Sequence, residues 1–139
     1  KEQVGNLALA PQVVDAVSIP VILGGSVIDA RGLVAALALG ADGIYVGTRF
    51  IATHESPASA EHKQAILMAK DDSTSVQPGI GGRSLSKNFI QEIYPDLNRS
   101  FGAGQGAGLV REILSAKEVV DHFVKDSEDV IEHINSLKI

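Results

Sequence analysis

The sequence predicts an α/β fold of parallel βα units followed by a long C-terminal amphipathic helix. Three observations carry this. Two short apolar runs, IPVIL at residues 19–23 and GIYV at 43–46, each end on glycine. Each is followed by a helix signal, giving strand, helix, strand, helix within about 50 residues, the pattern of parallel units. Near the end, Val119, Val120, Phe123, Val124, Val130, Ile131, Ile134 and Leu137 recur at helical spacing.

The first half can be read element by element. Residues 11–17 (PQVVDAV) open with Pro11, which suits a first helical turn, so a helix is expected from there. Residues 19–23 are a β-branched run ending at Gly24-Gly25 and read as a buried strand. Asp29 is placed to N-cap a helix through Leu39, with Gly40 at its C-terminal stop. Residues 43–46 form a second short strand closed by Gly47, and residues 48–52 a candidate short helix. Ser56-Pro57 reads as a cap followed by an N1 proline, starting a helix to about residue 70. Both strands are apolar on both faces, as in a sheet or barrel covered by helices.

The second half differs in character. Residues 71–88 are rich in Ser, Gly and Asp and read as a long excursion, of the kind that is functional or faces a missing surface. Residues 101–108 (FGAGQGAG) alternate glycine with small residues, and a short helix is expected from Gln105 to Ile113. Ser115 and Glu118 have the spacing of a capping box for the last helix, whose outer face is acidic. Residues 1–70 and 71–139 are therefore two parts of one domain.

Composition narrows the function. The chain has 139 residues, 45% hydrophobic and 21% charged, with a formal net charge of -5. That length fits one folded domain. The negative balance argues against nucleic acid, whose phosphates require a basic surface. The chain has no cysteine, which excludes disulfides, thiolate catalysis and Cys-ligated zinc, and its four histidines lack metal-ligand spacing. No metal site is expected. Apolar stretches such as 33–39 are far shorter than the roughly 20 residues of a membrane span. No basic-then-apolar signal precedes the fold, so no membrane association and a cytoplasmic location are expected. The first residue is Lys1, which suggests a piece of a longer protein.

Two strand ends attract chemistry: Leu23-Gly24-Gly25-Ser26 and Val46-Gly47-Thr48-Arg49. Ligands of open α/β sheets and barrels lie at the carboxyl ends of parallel strands. Glycines there let a phosphate approach backbone N–H groups, and a following helix N-terminus adds partial positive charge. The Thr48 hydroxyl could donate to that phosphate; Arg49 could add charge or pair with an acidic group. Equally, these glycines could serve only tight turns. The 102–108 run lacks dinucleotide-fingerprint spacing, so it reads as close packing or as a loop near a ligand. Arg83, in the GIGGRS run at 79–84, reads as a solvated loop residue or one that closes over a ligand. His62, His122 and His133 read as surface or structural groups, while His54, just after the second glycine loop, is a minor site candidate.

Taken in order, these segments resemble the nitronate monooxygenase family, formerly 2-nitropropane dioxygenase, which includes FMN-dependent enoyl-acyl carrier protein reductases. The matching runs are PQVVDAV, IPVI, Asp29-Ala30-Arg31-Gly32, AALALGADG and Gly47-Thr48-Arg49-Phe50, then GRSLSKN at 82–88, AGQGAGLV at 103–110 and AKEVV at 116–120. The resemblance implies the C-terminal part of a TIM (β/α)8 barrel. A complete barrel takes about 250 residues, more than this chain has. It also implies FMN, its phosphate held on main-chain N–H groups of Gly25 and Ser26 and of Gly47 and Thr48, with Gln105 near the flavin or substrate. Where the family has two glycines, this chain reads Gly25-Ser26 without gaps, or Gly24-Gly25 after a one-residue shift. In the ungapped match, a left-handed backbone at Ser26 costs about 1–2 kcal/mol. The 88–102 segment looks shorter than in many relatives.

The family's catalytic histidine belongs to a Gly-Gly-His-like motif upstream of the segment matching residues 5–17. None of the four histidines here aligns with it, so no catalytic residue is assigned to this chain. The resemblance implies a flavin oxidoreductase oxidising alkyl nitronates with dioxygen, this chain being inactive alone. Two alternatives are an enoyl-thioester reductase using NAD(P)H and FMN, and a non-catalytic half-barrel binding module. The expected partners are a small-molecule substrate and either a second copy or the missing N-terminal half of the barrel.

Overall fold

The computed structural model describes residues 4–77 and 82–137. Helix α1 (Asn6–Ala16) leads to strand β1 (Ile22–Gly24), helix α2 (Ala30–Ala38), strand β2 (Gly43–Tyr45) and the short helix α3 (Thr48–Ile51). Helix α4 (Ala60–Met68) follows, then strands β3 (Thr74–Val76) and β4 (Arg83–Leu85) and helix α5 (Lys87–Ile93). A 3-10 turn (Gln105–Leu109) and helix α6 (Ala116–Ser136) complete the chain.

β1 and β2 pair in parallel with Leu23 opposite Ile44, joined by α2. This is the expected βα unit. Asp29 caps α2 by accepting from the Arg31 and Gly32 N–H groups. The long last helix also forms, and its capping box is complete: the Ser115 hydroxyl and the Glu118 carboxylate each take the other's backbone N–H. One face of α6 buries Val119 and Phe123 together with Val27, against half-buried Leu33, Ile44 and Phe50. Burying such a side chain contributes about 1.5–3 kcal/mol. Two neighbouring clusters, around Ile66 and Val110 and around Leu85, Ile90 and Phe101, fix α4 and the hairpin to the same body.

Several expectations are corrected. The first helix begins at Asn6, and Pro11 lies inside it. Pro11 there removes one intrahelical hydrogen bond, but the helix start is held from outside, because the Asn6 amide donates to the Gly24 and Gly25 carbonyls. The fourth helix is capped by Ser59, three residues later than expected. The Ser56 hydroxyl instead accepts from the Ala58 N–H, closing a turn around Pro57. Part of the excursion is an antiparallel pair, β3 with β4, and residues 87–93 are helical. The helix expected from Gln105 is a 3-10 turn that stops at Leu109. Residues 79–81 of the GIGGRS run lie outside the described residues.

The last correction concerns burial. The two strands are covered on one face only. Leu23, Ile44 and Val46 are half-buried, whereas Ile22 and Tyr45 on the other face are 56% and 73% exposed. α1 adds Leu7, 78% exposed, and Ile19 follows it at 70%. The physical reason is that α2 and α6 cover only one side of a two-stranded sheet.

Candidate functional site

The loops after β1 and β2 are tied together by a third segment, the Gly104-Gln105-Gly106 turn. After β1 the chain turns sharply: Gly25 has φ +94° and Ser26 φ +62°. The left-handed pair is thus Gly25 and Ser26. Gly24 keeps ordinary strand geometry, and its carbonyl accepts from Asn6 at 3.0 Å.

After β2, Gly47 caps α3 with φ -107°, and a β-carbon placed on it would meet nothing within 4 Å. The space over Gly47 is open. The first N–H groups of α3 have no partner within the helix, as at any helix start. The Thr48 hydroxyl accepts the Gly104 N–H at 2.8 Å, and it keeps its own proton for donation. Two residues on, Gly106 is pressed against the other loop. A β-carbon there would lie 2.3 Å from Ile28 Cγ1 and 3.3 Å from the Ser26 carbonyl. Close packing explains Gly106, and Gln105 is left exposed between the loops.

Gly25, Ser26 and Gln105 share one open cleft with Gly5 and Asn6. Gly47 and Thr48 do not line that cleft and join it through Gly104. Sequence reasoning does not single out Asn6; it reads the 102–108 run as close packing or a loop near a ligand, without naming what Gly104 and Gly106 touch. Their partners lie up to 80 residues away (Gly106 to Ser26), so no local spacing signals them.

The charged candidates fall elsewhere. Arg49 is buried, and its guanidinium donates to the carbonyls of Ala52 and Glu112. Burial pushes its pKa down while the Glu112 charge opposes this. It clamps the end of α3 onto the segment before α6. The His62 ring stacks on Phe101 with centroids 4.6 Å apart, and its Nε2 lies 2.9 Å from the Gly102 carbonyl. The His54 backbone N–H donates to the Leu114 carbonyl, just before the start of α6. Arg83 donates to the Thr74 carbonyl and hydroxyl across the hairpin. Among the described residues no cluster of three His, Asp or Glu side chains is arranged to hold a metal, and no helix is long and apolar enough to cross a membrane.

Residues 1–100 match the family described as nitronate monooxygenase. The chain belongs to the nitronate monooxygenase family. It is similar to a probable nitronate monooxygenase of Staphylococcus aureus strain JH9, 41% identical over 93 residues, which cover 65% of this chain and 26% of that protein. It superposes on FabK from Thermotoga maritima with a TM-score of 0.87 at 31% identity, covering 96% of this chain and 52% of FabK. It also superposes on nitroalkane oxidase from Streptomyces ansochromogenes with a TM-score of 0.82 at 27% identity, covering 94% of this chain and 46% of the other. This member of the nitronate monooxygenase family therefore spans about half the length of those solved structures and about a quarter of the curated relative.

Proposed function

We propose that this chain is the C-terminal part of a TIM (β/α)8 barrel and carries the FMN-phosphate end of a flavin oxidoreductase that oxidises alkyl nitronates with dioxygen. The observation that carries this is the left-handed Gly25-Ser26 pair held beside the Gly104–Gly106 turn, with Thr48 anchored to the same turn. Successive N–H groups in such a turn can accept an anion, as can the free N–H groups at a helix start. The open space over Gly47 leaves room for one, so the residues present fit a phosphate. Gly25, Ser26, Gly47 and Thr48 would hold it, and the exposed Gln105 amide would face the ligand.

Bound FMN supplies the electron-transfer chemistry, and the protein binds and orients it. The base that takes the substrate proton comes from outside this segment in this reading, because His62 is committed to Phe101 and Gly102, and His54 faces the start of α6. The isolated chain is accordingly inert. The open face bearing Ile22 and Tyr45 supports the barrel reading, since parallel sheets are buried on both faces. The remaining strands of the barrel, or a second copy, would cover it.

The test is made on the whole protein. Dioxygen consumption with an alkyl nitronate, together with a flavin absorption band, is the expected result. Oxidation of NAD(P)H with a crotonyl thioester, and no nitronate turnover, assigns the reductase reaction instead. Absence of flavin from the whole protein overturns the cofactor reading.

A further inference from the structure

A second cleft lies on the side formed by the hairpin and α5, and none of the loop residues above takes part in it. Its floor is apolar: Leu85 and Ile90 are buried and Leu97 is half-buried. Two exposed cations, Lys87 and Arg99, line it together with the polar residues Gln77, Asn98 and Ser100. Among the described residues no carboxylate lines it, although the chain as a whole carries a net charge of -5. Among the described residues neither cation forms an ion pair. Arg99 is positioned by an aromatic face, its guanidinium carbon 5.4 Å from the Phe101 ring centroid, and its charge reaches Glu61, which lies outside the cleft. The volume, about 230 Å³, falls below the range of about 300–1,000 Å³ typical of drug-sized sites, so the occupant is small.

From these observations we infer that this cleft binds a small amphipathic anion, a short alkyl chain carrying one carboxylate or phosphate head. The chain removes Leu85, Ile90 and Leu97 surface from water, a favourable step that scales with area. The head meets Lys87 and Arg99, and the guanidinium fork suits a carboxylate or phosphate bidentately. Electrostatics sets the sign of the ligand, and the apolar floor sets its need for a chain.

The experiment is an amide chemical-shift titration of the whole protein with hexanoate, hexyl phosphate, hexanol and acetate. The expected result is saturable shifts at Leu85, Ile90 and Leu97 with one or both hexyl anions, at least tenfold tighter than with hexanol or acetate. Comparing the two anions tells which head is preferred. Lys87→Gln and Arg99→Gln each weaken anion binding at least threefold and leave hexanol unchanged. Both residues are exposed, and an unchanged melting temperature verifies that the variants fold. Equal binding of hexanol and hexanoate, indifference to both substitutions, or shifts confined to other residues overturns the inference. Flavin binding is read separately, by visible absorption, so failure here is distinguishable from failure at the glycine loops.

Discussion

The Thr48 hydroxyl accepts a hydrogen bond from the Gly104 N–H at 2.8 Å, joining residues 56 positions apart. The loop after β2 is thereby held to the turn that packs on the loop after β1. Thr48→Val keeps the shape and removes the acceptor, leaving the Gly104 N–H without a partner. Such a loss costs about 1–3 kcal/mol when the group is buried and less here, where Gly104 is half-buried. Urea denaturation should show a lower midpoint for Thr48→Val, and Thr48→Ser should stay near the parent.

Ser26 sits at φ +62°, in the left-handed region that costs a non-glycine residue about 1–2 kcal/mol. Ser26→Gly removes that strain. It also loosens the unfolded chain, which returns roughly 0.5–1 kcal/mol. The expected net effect is a small gain. Ser26→Val places a β-branched side chain in the same conformation and should lose about 1 kcal/mol or more. The melting temperature should be highest for Ser26→Gly, intermediate for the parent and lowest for Ser26→Val. A parent more stable than the glycine form would show that the Ser26 side chain makes a compensating contact.

Much of this fold is legible locally because its signals are local. Asp29 sits two and three residues from the N–H groups it caps, and Ser115 pairs with Glu118 three residues on. The strand–glycine boundaries at Gly24 and Gly47 likewise need only a short window. What escapes is decided at long range. Helix α1 runs through Pro11 with its start anchored by Asn6 to carbonyls 18 and 19 residues away. The β3–β4 hairpin is built from polar strands whose β4 side chains, Ser84 and Leu85, are buried against other segments. At the site, the two glycine loops are visible in the sequence, but the role of the Gly104–Gly106 turn in binding them together is not. Its contacts with the two loops depend on the folded path of the intervening chain.

Asp29 gives a pH signature. Burial raises its carboxyl, but hydrogen bonds from Arg31 and Gly32 and the Arg31 charge outweigh this, so its pKa lies below the ordinary 3.8. A depressed folded value means that the carboxylate stabilises the fold above the ordinary value and that this contribution is lost as pH falls through the lowered one. The side chain is 38% exposed, so solvent screening keeps the charge part small. Most of the effect of Asp29→Ala is the lost cap, about 1 kcal/mol at neutral pH. In paired denaturation curves the gap between Asp29→Ala and the parent should narrow only below the ordinary carboxylate value. Asp29→Asn keeps a capping oxygen and should fall between the two. A gap that already narrows well above the carboxylate range, near neutral pH, would assign the effect to another group.

Gly47 separates folding from cofactor binding. Its φ of -107° is ordinary for any residue, and a β-carbon there meets nothing within 4 Å. Gly47→Asp should therefore change stability by no more than about 0.5 kcal/mol, the range of benign surface substitutions. The same carboxylate would stand where the proposed phosphate must lie, and it would accept the N–H groups the phosphate needs. In the whole protein, Gly47→Asp should weaken FMN retention at least tenfold, read from visible absorption after gel filtration, with the melting temperature of the flavin-free form unchanged. Retention at the parent level would remove the phosphate from this loop. A large drop in the flavin-free melting temperature would instead show that Gly47 serves the turn, the bland reading of a glycine at a strand end.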